Sequence, residues 1–409
     1  MDVEVIFMVY IYRIRSFHLK LRANAVPLMA GLVLALIWVH IDPSSYSTWM
    51  REPSITVPFL GPTSFAWLVN DVFMAFFFGL VTAHIVTTLA SYGGVRDIIV
   101  HAFNPFLAMA FGVIVPALLF ILTTLLLGHP DWIRGFGIVT ATDIAIAWLA
   151  ARLALGPHHP AISFLLLVAI GDDIVSMLII ALFYSNPDHP LHLPALAFVL
   201  FAVGLAWLFR RVLPNQWALS VFLAGGLSWY GLYRAGLHPS LALVPIVPFL
   251  PTAPQPAGAS DAQAADHEKK SAPLHRFEST VSGPVDDGLF LFALANAGVP
   301  FSTFGPLSVV IALSLFVGKT AGIYMAGRLT ESIGWLRAVD FDRFSLLVIA
   351  LSSASGLTVS LFMAEAAFPD DRALQAEAKV GALFSLLFAA SAAVIGRIGR
   401  KAKRSPAKR

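Results

Sequence analysis

The chain has 409 residues, 58% of them hydrophobic and only 12% charged, with a formal net charge of +3 and a mean hydropathy of +0.78. A soluble protein carries roughly 25% charged residues, so the composition excludes an ordinary water-soluble domain; repeated apolar runs of about 18 residues or more point to an all-α polytopic membrane protein. Cysteine is absent, which excludes disulfides and thiolate-ligated metals.

Taken in chain order, Asp2 and Glu4 precede a short apolar run, and Arg13, Arg15, Lys20 and Arg22 follow it. That order is the reverse of a cleavable leader, so residues 1–23 read as a cytoplasmic N-terminal segment. Residues 24–397 read as one transmembrane domain of about twelve spans. Their expected limits are 24–41, 64–90, 102–128, 136–153, 160–184, 193–211, 215–233, 238–251, 284–302, 305–328, 343–367 and 375–397. The loop 42–62 contains the strand-like run SITVPFLG and is expected to form an outer hairpin. Asp71, after Asn70 at the head of an apolar run, reads as a helix cap, and Glu365 as an interfacial residue near the outer end of the eleventh span. Segment 252–283 is rich in Pro, Ala, Ser and charge and reads as a flexible cytoplasmic loop. Residues 398–409 form a basic cytoplasmic tail.

Basic residues fix the orientation, because Lys and Arg collect in cytoplasmic loops. With the N-terminus inside, that side holds the four N-terminal cations, Arg96, Arg152, Arg210, Arg211, Lys269, Lys270, Arg276, Arg328, Arg337, Arg343 and the tail after Gly396. The other side holds Arg51, Arg134, Arg234, Arg372 and Lys379. An even number of spans with both ends in the cytoplasm is therefore expected. The tail RIGRKAKRSPAKR needs no nucleic acid as a partner; anionic lipid suits it.

Four intramembrane charges stand out: Asp143, Asp172, Asp173 and Lys319. Charges at that depth are costly and mark functional sites. Asp143 interrupts GIVTATDIAIAWLAA together with Thr142. Asp172 and Asp173 sit centrally in AISFLLLVAIGDDIVSMLIIALFY, and Lys319 lies in LSLFVGKTAGIYMAG between Gly318 and Gly322. Adjacent carboxylates resist double ionisation, so such a pair holds protons or a hard cation but is poorly suited to both at once. That competition is the minimum machinery for exchanging Na+ or Li+ against H+. Lys319 is expected to pair with one of the acids, since an unpaired buried charge is unfavourable. The polar run Ser352 to Ser360, with Gly356 and Thr358 at its centre, is expected to unwind the eleventh span, which the membrane tolerates only inside protein or along a cavity. The fourth and eleventh spans thus both read as interrupted.

At these residues the chain resembles the NhaA family of bacterial sodium/proton antiporters. The segments that carry the resemblance are VNDVFMAFFFGLV (69–81), ATDIAIA (141–147), AIGDDIVSMLIIALFY (169–184), AGLHPSLA (235–242), LFALANAGV (291–299), FVGKTAGI (316–323) and SGLTVSLFMAEAAF (355–368). The resemblance runs from about Ala23 to Ile395. It implies inverted-topology repeats with spans 4 and 11 discontinuous at the midplane. In that geometry Asp143 would offset the positive half-helix N-termini and Lys319 the negative C-termini. Asp173 would be the main cation and proton carboxylate, Asp172 its neighbour paired with Lys319, and Thr142 a nearby oxygen donor. The family implies a transporter, not an enzyme, that needs no cofactor. It would extrude cytoplasmic Na+ or Li+ against incoming H+ by alternating access, in the bacterial inner membrane, with homodimers formed through the outer hairpin.

Departures from the family pattern concern regulation. The stretch FFFGLVTAHIVTTLAS places His84 where the family has a glutamate, with Thr87 and Thr88 in place of charges. His84, because histidine titrates near neutrality, and His238, which matches a family histidine associated with pH response and otherwise reads as the start of the eighth span, are the expected pH-response residues. Asp286 and Asp287 open the expected ninth span where the family has an apolar pair; they read as a favourable helix N-terminus or a cation-attracting rim. Same-fold alternatives are a sodium-coupled symporter and a pH-insensitive monovalent cation/proton exchanger. An intramembrane aspartyl protease also buries two aspartates, but here Gly171-Asp172 follows Ala169-Ile170, which breaks GxGD, and no Tyr-Asp pair occurs.

Overall fold

The computed structural model describes residues 22, 24–57, 61–92, 95–184, 192–252, 271–333 and 341–404. Helix dominates, as it must where the surroundings offer the backbone no hydrogen bonds and each segment has to satisfy its own N–H and C=O groups. The order is α1 (Val26–Ile41), α2 (Pro43–Arg51), a hairpin of β1 (Ile55–Val57) and β2 (Gly61–Thr63), α3 (Phe65–Ala90) and α4 (Val95–Leu126). A 3-10 segment, Pro130–Val139, leads into α5 (Ile144–Leu155), followed by α6 (Ala161–Phe183), α7 (Leu193–Val212) and α8 (217–235). The second half comprises α9 (Pro273–Asn296), α10 (306–333), α11 (Arg343–Ser353), α12 (Thr358–Ala367) and α13 (372–404).

By length and apolarity α3, α4, α6, α7, α10 and α13 can each cross a membrane. Two further crossings arise if each bent pair counts as one: the 3-10 segment with α5, bent by 57°, and α11 with α12, bent by 45°. Both expected interruptions are therefore present as breaks in the backbone. The exposed faces of α4 and α7 carry Leu118, Leu122, Leu200 and Phe201, an apolar exterior that water would not tolerate but lipid does.

The expected eighth span is not a helix. Residues 238–251 form turns and two short 3-10 stretches, Pro239–Leu241 and Val247–Phe249. Pro239, Pro245, Pro248 and Pro251 remove amide donors every few residues and prevent a continuous helix. The loop 252–283 also ends earlier than expected. Residues 253–270 lie outside the described residues, and α9 begins at Pro273, so Asp286 and Asp287 sit more than three turns inside the helix and cannot act on its N-terminus. Asp287 instead takes a bidentate ion pair from Arg22, with Nε to Oδ1 at 2.9 Å. Residues 1–21 and 405–409 are outside the described residues; the helix α13 continues to Arg404, past the expected start of the tail at 398.

The expected cap at Asp71 is also displaced. Ser64 caps α3, its hydroxyl accepting from the Trp67 amide at 3.1 Å, while Asp71 lies in a π-helical turn, Leu68–Phe73. Similar turns occur at Ser220–Ala224 in α8 and at Ser314–Lys319 in α10. Such bulges re-aim one side chain against the helical repeat and often mark functional positions. In α10 the bulge carries Lys319. Gly318 and Gly322 let that helix close on α4: an added Cβ would stand 2.6 Å from Pro116 Cα and 2.3 Å from the Phe111 carbonyl oxygen.

Candidate functional site

The two breaks face each other, and their loose ends are satisfied by a small set of side chains. Asp143 is the N-cap of α5, its Oδ1 accepting from the Ile146 amide at 3.1 Å. Its Oδ2 accepts from the Thr358 amide at 3.2 Å and the Thr358 hydroxyl at 2.6 Å. One carboxylate thus serves the first turns of both α5 and α12, where unpaired amides and the helix dipole favour negative charge. The Asp143 amide in turn donates to the Ser355 carbonyl at 2.6 Å. A Cβ at Gly356 would lie 2.8 Å from the Ala141 carbonyl oxygen, so the crossing closes only around a glycine. Ser360 completes it by donating to the Ile138 carbonyl at 2.6 Å.

The opposite, carbonyl-bearing ends take the positive charge. Lys319, fully buried, donates to the Thr140 carbonyl at 2.5 Å, at the end of the 3-10 segment. The other C-terminus, that of α11, is met by Thr142, not by Lys319. The Thr142 hydroxyl lies 3.0 Å from the Ser353 carbonyl and 2.6 Å from Asp172 Oδ2, and it has a single proton to share between them. The division of labour differs from one lysine balancing both ends.

Asp172 and Asp173 project from the middle of α6 into this crossing and are 0% and 2% exposed. Lys319 Nζ stands 2.9 Å from Asp172 Oδ2, so Asp172 receives both the ammonium and the Thr142 hydroxyl on one oxygen. Its Oδ1, together with Asp173 Oδ1 and Ser176 Oγ, is buried without a hydrogen-bond partner. Buried polar atoms are nearly always paired, and here three oxygens within about one turn of a helix have no partner within the protein. Ser176 is missed by inspection of charge alone; its i+3 spacing from Asp173, which places the two on one helical face, is the signal that finds it. Among the described residues no three His, Asp or Glu side chains converge as a resident metal site would require.

Tyr184, at the end of the helix that bears the aspartates, donates to the Arg134 carbonyl at 2.6 Å and accepts from the Gly137 amide at 3.2 Å. It fixes the 3-10 segment to α6. Tyr184→Phe should lower stability by about 1–3 kcal/mol through the unpaired buried backbone groups it leaves; a detergent melt with an unshifted midpoint would contradict this.

The expected pH-response residues lie apart, one on each side of the crossing. His84 Nε2 is 3.0 Å from Glu278 Oε1 on α9, and His275 Nδ1 is 3.6 Å from Glu278 Oε2, a cluster in which the sequence pointed only to His84. His238, in the turns after α8, stacks its ring edge-on to Phe362 at 5.6 Å and lines a cavity shared with Asp71 and Glu365. Glu365 is not merely interfacial: it accepts from Lys379, a fully buried lysine on α13.

Comparison with known proteins identifies the family of the chain. The profile of the family described as Na+/H+ antiporter 1 matches residues 15–396. The Na+/H+ antiporter NhaA 2 of Pelobacter propionicus is 43% identical over 385 residues, covering 94% of this chain and 98% of the relative. The NhaA antiporter of Geobacter metallireducens is 41% identical, with 94% and 98% covered. That of Jannaschia sp. is 33% identical, with 95% and 98% covered. A crossing of two broken helices beside a buried aspartate pair, in a chain matched over nearly its whole length, identifies this protein as a member of the NhaA-type Na+/H+ antiporter 1 family.

Proposed function

We propose that the chain exchanges cytoplasmic Na+ or Li+ for external H+ by alternating access, with cation and protons competing for Asp172 and Asp173. The observation that carries the reading is the pair of adjacent buried carboxylates, each with an unpaired oxygen, beside one lysine. A desolvated Na+ or Li+ seeks several hard oxygens; Asp173 Oδ1, Asp172 Oδ1 and Ser176 Oγ are in place to supply them. Two negative charges at this depth are favourable with a cation between them and unfavourable without one, so loss of the cation draws in a proton. Asp173 is the main carrier and Asp172 the switchable partner. When Asp172 turns to the cation, Lys319 keeps the Thr140 carbonyl, so its ammonium is never left unpaired. Asp143, with Thr142, Thr358 and Gly356, holds the crossing through which two halves rock.

The same reading gives twelve crossings with both termini in the cytoplasm of the bacterial inner membrane, anionic lipid at the basic tail, and a homodimer through the β1–β2 hairpin. Inverted repeats are supported by matching order: α4, a bent pair and α6 on one side, α10, a bent pair and α13 on the other. His84, with Glu278 and His275, sits at the cytoplasmic end of α3 and α9 as a pH-responsive cluster, and His238 faces the outer cavity. His84→Ala should displace the pH activation curve of exchange, since the imidazole that faces Glu278 at 3.0 Å is lost; a superimposable curve would leave the histidine structural.

The reading is tested in everted membrane vesicles carrying an imposed ΔpH, with Na+, Li+ and K+ added in turn across pH. Dissipation of ΔpH by Na+ or Li+ is the expected result. Its absence, or Na+ uptake tied to a co-transported solute instead of protons, would overturn the proposal in favour of a symporter.

A further inference from the structure

The outer vestibule contains a second buried ion pair that the exchange chemistry above does not use. Glu365, near the outer end of α12, accepts from Lys379 Nζ on α13. The partners are unequal: Lys379 is 0% exposed, whereas the Glu365 side chain keeps 35% exposure because it faces a cavity of about 270 Å3. Asp71, carried by the π turn of α3, lines the same cavity, as do Ser64, Asn70 and Gln375. Two carboxylates and neutral side-chain oxygens line one small cavity, and these are the ligand types that hard cations take. On the path of an outgoing cation such a site would be a trap.

The structure places an ammonium behind one of those carboxylates and two guanidinium groups, Arg51 and Arg372, at the same cavity. Three basic groups then stand against two acidic ones. Stability is a weak account of the pair, because replacing a buried ion pair by apolar side chains of similar volume is often neutral or stabilising. We infer that Lys379 masks Glu365 as a built-in cation, so that the outer vestibule releases expelled Na+ instead of retaining it. Lys379 is on this account a residue that sets affinity on the outer face. The inference rests on the antiport reading and on α12 ending at the outer surface.

The test is Na+ efflux from right-side-out membrane vesicles, read as the external Na+ concentration that halves the efflux rate. Lys379→Met unmasks Glu365 and should lower that concentration by about three- to tenfold, the size of one charge interaction in a water-filled cavity. The double variant Lys379→Met/Glu365→Gln should return it to the wild-type value. Glu365→Gln alone leaves the positive groups unopposed and should raise it, which serves as the reading if Lys379→Met fails to insert. An unaltered value in Lys379→Met, or in Glu365→Gln where that variant is the one read, would overturn the inference, as would a double variant that still binds external Na+ more tightly. Everted vesicles of the same variants separate the two failures. If the antiport reading is wrong, no Na+-dependent ΔpH dissipation occurs in any variant or in wild type. If only this inference is wrong, exchange persists with unchanged outer affinity.

Discussion

Asp173→Asn is expected to abolish Na+-induced dissipation of ΔpH in everted vesicles while leaving the protein folded. The amide keeps the shape and one oxygen but removes the charge that a desolvated cation requires. A unit charge pair about 4 Å apart in surroundings of effective dielectric 20 is worth about 4 kcal/mol, which is about a thousandfold in affinity. Because Asp173 Oδ1 has no hydrogen-bond partner, the substitution breaks no contact made by that oxygen, and at pH values where both acids are ionised it also removes a buried like charge beside Asp172. The detergent melting midpoint should therefore hold or rise. Retained Na+-dependent dissipation in Asp173→Asn would remove the carrier role from this residue and the exchange mechanism with it.

Lys319→Ala should do the reverse to stability. It strips Asp172 of its ammonium partner and the Thr140 carbonyl of its donor, in a place with 0% exposure. Breaking one side of a buried pair costs about 3–5 kcal/mol, so a marked fall in the detergent melting midpoint is expected, together with reduced exchange. Adding Asp172→Asn removes the uncompensated charge and should restore part of the lost stability without restoring exchange. A single Lys319→Ala variant with an unshifted midpoint would argue against the salt bridge as a structural element.

Most of this site was legible in the sequence because charges in apolar runs are few and costly. Asp143, Asp172, Asp173 and Lys319 stand out on that ground alone, and the structure brings them to one crossing. The breaks were legible too, since Thr142-Asp143 and the run Ser352 to Ser360 interrupt otherwise apolar helices. Elsewhere hydropathy misled. The stretch 238–251 is apolar enough to resemble a helical span, but its prolines forbid a continuous helix, and an apolar window does not register missing amides. Helix α9 begins in a charged segment, where hydropathy reports only the later, apolar part. Glu365 and Lys379 lie 14 residues apart on separate helices, and Lys379 looked like an outer-loop cation because its burial depends on how α13 packs on α12. Ser176 carries no charge and only its spacing from Asp173 marks it, while Thr358 is expected in the break but not as the partner of Asp143, a bond that emerges only from the structure.

The most direct test of competition at the aspartate pair is proton release on cation binding. Purified protein in weakly buffered detergent solution is mixed with NaCl, and the pH change is followed, with choline chloride as control. The account predicts Na+-specific proton release from the wild type at pH values where the carrier is protonated, and none from Asp173→Asn. Na+ binding without proton release, or undiminished release from Asp173→Asn, would contradict it.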